Sequence, residues 1–529
     1  MRTWLSSKSL SYNSFGGIRF LIYFIIYNTY IHPLSKYPGP FLAKFTDLYA
    51  AYHGWKGDLH LDMWRCHQKY GDRVRYAPNA LLVNTAEGLR DIYSFGPSSS
   101  FSKGATYEPM IHRAPNTLTI RGGREHARRR RILSQGLSER ALRSYEPRIM
   151  SHIQTLAGVV AADATLDARD SRLWGAPVDM GSLCSYLTFD IMADVVFDER
   201  YSLLTEHKFR YVVDAIEISN TRMAGLIQAP WFARHKLDRH LFRAAIKSRN
   251  RFLKFLGGML GSRMKRLSRP IDDAKDTQPN DLFGNLAVAK DPDTGSSFTA
   301  NELAAESATL VFAGTDTSST ALAAVLFYLA HNPSCYARAA AEVRSVFGVG
   351  HQVTGQRLPS CVYLKACVEE ALRMSPPVGG TPWREVSAAQ GAVVDGEHLP
   401  RGTTVGVGIY SVQHSCAYYD EPFQYRPERW LADSPGNDAE KVNRARSVFA
   451  PFSVGPRSCL GRGLAQHELM LATATLLNVG DFRLPDGRDG VVGCGTPGAE
   501  LGRHREGEFQ LKDFITGQKD GPILQFSMF

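Results

Sequence analysis

The stretch that decides the fold runs from Phe449 to Gly480 and reads FAPFSVGPRSCLGRGLAQHELMLATATLLNVG. One cysteine, Cys459, stands among glycines just ahead of an apolar run with helical spacing. Gly455 and Gly461 permit a tight turn and a close approach of backbone to a flat group. A helix predicted from near Gly463 sets free N–H groups and the positive end of its dipole beside the sulfur, which favours a thiolate. Arg457 can reach an anionic rim, and Phe452 can pack beside the sulfur and exclude water. The stretch is suited to holding something large and flat through a single sulfur.

The remainder of the chain sets the frame for that site. Its 529 residues are 44% hydrophobic and 22% charged, an ordinary globular composition with ample material for a core. The net charge of +10 is mild for this length, so nucleic acid is not implied as a partner; a membrane surface or an acidic protein suits it equally well. Eight cysteines are scattered without a CxxC pair, which argues against a disulfide framework and a zinc site and for a reducing compartment.

The first residues differ from the rest. From Phe15 to Ile31 the chain is mostly apolar, interrupted by Arg19 and Asn28. A bilayer crossing takes about 20 residues, so this segment sits at the short limit, with Tyr27 and Tyr30 suited to the headgroup zone. No small-residue cleavage site follows it. An uncleaved membrane anchor, spanning or lying in one leaflet, is expected; an amphipathic surface helix is the other reading.

Along the body, residues 41–100 read as a helix around LDMWRCHQKYG followed by strands RVRYA and ALLVNT, and residues 105–120 as a loop. Helical patterning then runs from Arg124 to about residue 260, and residues 265–282 form a polar, proline-punctuated loop. The longest helical signal spans Asn301 to His331, opened by a Thr299/Glu302 capping box and stopped at Asn332–Pro333. Inside it AGTDTSST, Ala313 to Thr320, weakens helix propensity, so something must be gained there. GAVVDG and TTVGVGIYSV, between 391 and 412, read as strands. Helices dominate and strands cluster, so one mixed domain is expected rather than three. The GCGTPG string from Gly493 lacks the strand–turn–helix context of a nucleotide site.

One thiolate with no cysteine or histidine partner nearby cannot make a four-ligand zinc site, but it can be the single axial ligand of a haem. At this point the string FSVGPRSCLG, Phe452 to Gly461, resembles the haem-binding signature of the cytochrome P450 family, F-x-x-G-x-R-x-C-x-G, at all its fixed positions. The resemblance implies that Cys459 is the proximal ligand of the iron and Arg457 a propionate contact. EALR, Glu370 to Arg373, resembles the family's E-x-x-R pair, joined by Arg429 in PERW as a structural lock. AGTDTS resembles the acid–alcohol stretch of the long central helix, which makes Asp316 the acid, Thr317 the distal alcohol and Gly314 the space for dioxygen. In REHARRRRILS, His126 takes the place of the usual tryptophan and Arg130 that of its arginine partner, both reaching propionates. The neighbouring arginines read as a solvated basic face and a docking face for a reductase. Arg384 in TPWRE resembles another propionate contact, with His414 as a further candidate.

The resemblance covers nearly the whole chain, and HPLSKYPGP resembles fungal microsomal members in particular. It implies a mainly α fold with small β-sheets (α+β): a single large haem-binding domain over residues 36–529 after an anchor in residues 1–35. It implies haem b (iron protoporphyrin IX) and insertion of one oxygen atom from O2 into a hydrophobic small molecule, RH + O2 + NADPH + H+ → ROH + H2O + NADP+. NADPH acts indirectly, through a separate NADPH–cytochrome P450 reductase, with cytochrome b5 as an optional second donor. The location implied is the endoplasmic reticulum membrane with the catalytic domain on the cytosolic side, and the context is fungal secondary metabolism. Desaturation, ring closure, oxidative coupling or xenobiotic hydroxylation on the same haem are alternatives, and a haem-binding sensor or carrier is a remote one. Residues 105–120, 217–233, the helix near Ala313 and the run after Pro376 are expected to line the pocket, with Met110, Leu226, Ile227 and Val378 as apolar examples.

Overall fold

The computed structural model describes residues 19–94, 100–112, 114–161, 165–166, 173–267 and 281–529. Most of the expected 265–282 loop and the first four residues of the Phe15–Ile31 segment therefore lie outside the described residues. The architecture is predominantly helical, with several small sheets. Helices α1 (Leu48–Lys56), α2 (Leu59–Tyr70) and α3 (Ala86–Tyr93) alternate with strands β1 (Arg73–Ala77) and β2 (Ala80–Val83). The sequence reading anticipated only α2 and the two strands here. Residues Ala105–Met110, expected as loop, form a 3-10 turn. Then follow α4 (Gly123–Gly136), α5 (Glu139–Val160), α6 (Met180–Phe197), α7 (Tyr211–Gln228), α8 (Trp231–Arg234), α9 (Asp238–Leu241), α10 (Arg243–Leu267) and α11 (Leu282–Val288).

The axis of the fold is α12, Ala300–His331. Its capping box is formed on both sides, Thr299 Oγ1 accepting from the Glu302 N–H and the Glu302 carboxylate from the Thr299 N–H. At about 1.5 Å per residue it runs about 48 Å, enough to cross the domain. Helices α6 and α12 are each long and apolar enough to span a bilayer, yet 83% and 72% of their most apolar windows are buried inside the fold. They pack on each other, with Thr188 Oγ1 donating to the Thr315 carbonyl at 2.8 Å. Their apolarity serves the core.

After α13 (Pro333–Phe347) and α14 (Val362–Met374), strands β3 (Phe101–Ser102), β4 (Arg384–Val386) and β5 (Thr404–Gly406) complete a five-stranded sheet ordered β1-β2-β5-β4-β3. β5 runs parallel to β2, pairing Val405 with Leu81, and antiparallel to β4. The strand predicted through TTVGVGIYSV stops at Gly406; Ile409–Gln413 instead forms a short helix, α15. The Gln413 side chain there donates to the carbonyls of Leu372 and Arg373, finishing the end of α14. Then come α16 (Ala439–Ser447), α17 (Arg462–Val479) and a hairpin of β6 (Lys512–Phe514) and β7 (Thr516–Gln518) laid against α12, and a last strand, Ile523–Met528, pairs with Gly480–Arg483.

Residues 19–31 are helical, ending in a π-helical turn at Tyr27–Ile31. Phe20, Leu21, Ile22, Tyr23, Ile25 and Ile26 are exposed along it. Asn28, which interrupts the apolar run, is buried: its carbonyl and side-chain oxygen accept from Arg75, itself fully buried in β1. The segment is thereby pinned to the sheet at its inner end.

Candidate active site

Cys459 sits in the loop between a 3-10 turn at Gly455–Arg457 and α17. The loop folds back on itself through the Cys459 N–H, which donates to the Phe452 carbonyl at 2.8 Å. Gly455 makes the turn with φ +74°, and a Cβ there would lie 1.8 Å from the Tyr93 carbonyl oxygen. No other residue fits. Gly461 is under no such pressure; its nearest neighbour would be the Cys459 sulfur at 3.9 Å. The Phe452 ring lies under the Arg462 guanidinium, 5.7 Å away.

The thiol is exposed, yet protein surrounds it closely enough for desolvation to push its pKa up. Both observations fit a sulfur facing an interior cleft. The Gly461 and Arg462 N–H groups and the charges of Arg130 and Arg462 pull towards the thiolate, as expected from the helix end, but burial outweighs them. A cation bound at sulfur would be needed to hold it deprotonated. Among the described residues no group of three or more histidine, cysteine, aspartate or glutamate side chains could hold a metal ion. Any metal at Cys459 would therefore bring the rest of its own coordination sphere.

A second accessible spot lies halfway along α12. Ala313 is exposed and Thr317, one turn on, half-buried, although residues 318–329 are buried throughout. Thr317 Oγ1 donates to the Ala313 carbonyl at 2.7 Å, which leaves the hydroxyl oxygen as an acceptor on that face. Asp316 points elsewhere. It is buried, and its Oδ2 accepts from Asn220 of α7 at 2.9 Å and from the Thr516 hydroxyl of β7. Burial raises its pKa, against the pull of Thr516, Lys519 and Asn220. Lys519 in turn bonds Ser185 and Ser319, at 2.9 and 3.0 Å. Gly314 faces α6: a Cβ there would sit 2.5 Å from Met192 Sδ, so the glycine lets that helix approach.

Positive charge converges nearby. Arg457 donates to the carbonyls of Ile120 and Arg121, Arg130 to that of Ser458, next to the cysteine, and Arg384 to those of Pro382 and Trp383. Lys103, buried, donates to the Leu118 carbonyl. Burial, then Arg457, Lys103, Arg130 and Arg384 together, push the pKa of buried His126 down to about 3, so it is neutral at pH 7. Burial, then Arg384, brings Arg457 down to about 10. Among the described residues none of these five groups forms an ion pair with a carboxylate. Sequence reading missed Lys103, which belongs to no motif. It also misplaced His414, which stacks on Tyr410 and Phe423 and feels Arg373, Arg505 and His60 instead of this cluster. The expected basic docking face on α4 is largely neutralised from within: Arg128 and Arg129 pair with Glu125 and Glu302, and Arg131 with Asp291.

Glu370, Arg373 and Arg429 meet in the interior. Arg373 grips both Glu370 oxygens, at 2.9 and 3.0 Å, and Arg429 Nε donates to one of them at 2.8 Å. Trp430 Nε1 and the Arg426 N–H complete the shell of the carboxylate. Trp430 had no signal in the E-x-x-R spacing.

Residues 35–491 match the protein family described as Cytochrome P450. The chain belongs to the cytochrome P450 family. Among its relatives are Cytochrome P450 monooxygenase AKT7 of Alternaria alternata, 45% identical over 95% of this chain and 94% of that protein. Cytochrome P450 monooxygenase poxM of Penicillium oxalicum is 43% identical over 96% and 92%, and atnE of Emericella nidulans 42% over 95% and 93%. Haem, the cofactor this P450 family implies, fits the residues present. The accessible sulfur is a one-donor site, and three buried or half-buried arginines, Arg130, Arg384 and Arg457, that meet no carboxylate among the described residues call for anions, which two propionates would supply, with Lys103 and neutral His126 beside them.

Proposed function

We propose that this P450 is a haem-thiolate monooxygenase acting on a hydrophobic small molecule in fungal secondary metabolism. The convergence of Lys103, His126, Arg130, Arg384 and Arg457 beside the accessible Cys459 sulfur carries the reading. Cys459 would be the axial ligand, the basic groups would hold the propionates, and Gly455 would keep the loop tight. Haem bound there supplies reductive activation of dioxygen, with electrons from NADPH through a separate reductase.

The chain's own part is to deliver protons and exclude water. The Thr317 hydroxyl oxygen, its hydrogen committed to Ala313, would accept from a proton-bearing group in the cleft. Asp316, held by Asn220 and Thr516 and backed by the Lys519–Ser319–Ser185 cluster, would take up protons from the side away from that cleft. Glu370, Arg373 and Arg429 would fix the scaffold behind the cysteine loop. The turn at 105–110 packs on α7, and Asn116 and Thr117 bond Thr309 and Glu306 of α12, which supports the reading that the 105–120 segment and α7 border the substrate. The exposed apolar row from Phe20 to Ile26 supports an anchor in the endoplasmic reticulum membrane with the catalytic domain on its cytosolic side.

The test uses purified full-length protein with reductase and NADPH. Cys459→Ala should lose the thiolate-type ferrous–CO Soret band; an unchanged band would remove Cys459 as ligand. Thr317→Ala should keep that band while NADPH consumption runs ahead of product; equal coupling would take Thr317 out of the proton route.

A further inference from the structure

The turn between α7 and α10 carries charge that the chemistry above does not use. A surface pocket of about 550 Å³ opens there, lined by Arg222, Arg239, Arg243, Lys247 and Arg249 together with Ile246 and Asn250, and with no acidic side chain in its wall among the described residues. Buried Asp238, behind it, is gripped by Arg222 through two nitrogens, and its charge also acts on Arg249, whose pKa burial, Arg222 and Arg239 nevertheless bring down. Among the described residues, Arg239, Arg243 and Lys247 meet no carboxylate. Arg249 Nε is buried without any acceptor.

The placement runs against helix electrostatics. Arg243 opens the 25-residue helix α10, Lys247 follows one turn later, and the first turn holds no acid. A helix start carries about half a positive charge, so a cation there is disfavoured. Local rules broken in this way, with no compensating carboxylate on Arg239, Arg243 or Lys247 among the described residues, point to a partner from outside.

The surroundings specify that partner. Leu237 and Leu241, on either side of Arg239 in sequence, are 43% and 66% exposed. Helix α1 packs on α7 with Gly54 against the Ala224 backbone, and its exposed Trp55 lies beside Gly225, three residues along α7 from Arg222. A cationic hole flanked in sequence by exposed leucines, with an exposed tryptophan on the helix packed against α7, matches a bilayer interface, where phosphate and acyl chain lie a few ångströms apart. Free inorganic phosphate would account for the arginines but not for the leucines. We propose that the pocket between α7, α9 and α10 binds the phosphate of an anionic lipid headgroup, its forked guanidinium groups matching the phosphate oxygens. The site extends the membrane reading above and is independent of the catalytic one.

The experiment uses the full chain in a neutral detergent, titrated calorimetrically with dihexanoyl phosphatidic acid, dihexanoyl phosphatidylcholine or inorganic phosphate. Arg243→Gln/Lys247→Gln is the test variant and Lys254→Gln, on the same helix outside the pocket, the control; an intact ferrous–CO spectrum verifies each fold. Phosphatidic acid should bind saturably and more weakly as salt rises, with phosphatidylcholine and inorganic phosphate at least about tenfold weaker. The double variant should lose about tenfold or more and the control nothing. Equal binding by parent and double variant, equal binding of the two lipids, or no binding at all overturns the site. Inorganic phosphate as tight as phosphatidic acid overturns the lipid assignment. None of these outcomes depends on turnover, so they leave the monooxygenase reading to its own test.

Discussion

Glu370→Gln should be among the most damaging single changes away from the cysteine loop. The Glu370 carboxylate is completely buried and accepts five hydrogen bonds, from Arg373 Nε and Nη2, Arg429 Nε, Trp430 Nε1 and the Arg426 backbone. Burial by itself would raise its pKa, but the charges of Arg373 and Arg429 and their hydrogen bonds outweigh it, and the net direction is down. The amide keeps the shape, removes the charge and leaves two guanidinium groups uncompensated. Breaking a buried ion network from one side costs about 3–5 kcal/mol, against a total stability of about 5–15 kcal/mol. Arg429→Met leaves the Glu370–Arg373 pair intact and should cost less, about 1.5–3 kcal/mol for a charge-assisted bond. Trp430→Phe removes a single donor while keeping the ring beside Phe449, and should cost least. Urea unfolding, with haem content read from the ferrous–CO spectrum, gives the order. Because the folded pKa is depressed, the stabilisation is present above the unfolded value of about 4.3 and is lost as pH falls through the folded one. If Glu370→Gln unfolds within about 0.5 kcal/mol of the parent, or Trp430→Phe matches it, the carboxylate is not the keystone described.

Three other expectations follow from single sites. Gly455→Ala combines a left-handed backbone with a Cβ driven into the Tyr93 carbonyl, and should lose about 3 kcal/mol or more together with haem content in an unfolding titration. Glu468, buried on α17, has its pKa raised by burial to about 8, with only the Ser318 hydroxyl pulling the other way. The folded state therefore holds a proton that the unfolded state gives up above pH about 4.3, and stability declines as pH rises from there to about 8. Glu468→Gln should abolish that slope and add on the order of 3–5 kcal/mol at pH 8, seen by comparing unfolding midpoints at pH 5 and 8. Asn220→Leu and Thr516→Val each take one donor from Asp316 and should lower coupling of NADPH to product without altering the ferrous–CO spectrum; unchanged coupling in both would detach Asp316 from proton supply.

Much of the site was readable because its signals are local. Cys459, its glycines and Arg457 lie within seven residues, and the Thr299/Glu302 capping box announces α12 within four. The misreadings concern facing and long-range pairing. Arg129 and Arg131 look like a solvated run until Glu302, Glu306 and Asp291 arrive from more than 150 residues away. Gly314 sits in the expected motif, but which side of α12 it serves depends on Met192, and a linear pattern holds no record of that. Lys103 acquires its role only when the chain on either side of β3 is folded over Ile120 and Arg384. The apolar alternation through Val405 and Val407 favours a strand, and the end of α14, which needs Gln413, overrides it.

The bonds from Asp316 to Asn220 and Thr516 have an evolutionary corollary. Helix α7 borders the region where substrate is expected, and its Asn220 also holds Asp316, the acid proposed above to feed protons to the cleft. A mutation that remodels α7 for a new compound therefore retunes the acid as well, and the lineage cannot explore specificity and efficiency as separate traits. Activity lost by such a change should be recoverable from the β6–β7 hairpin, which grips the same carboxylate from the other side.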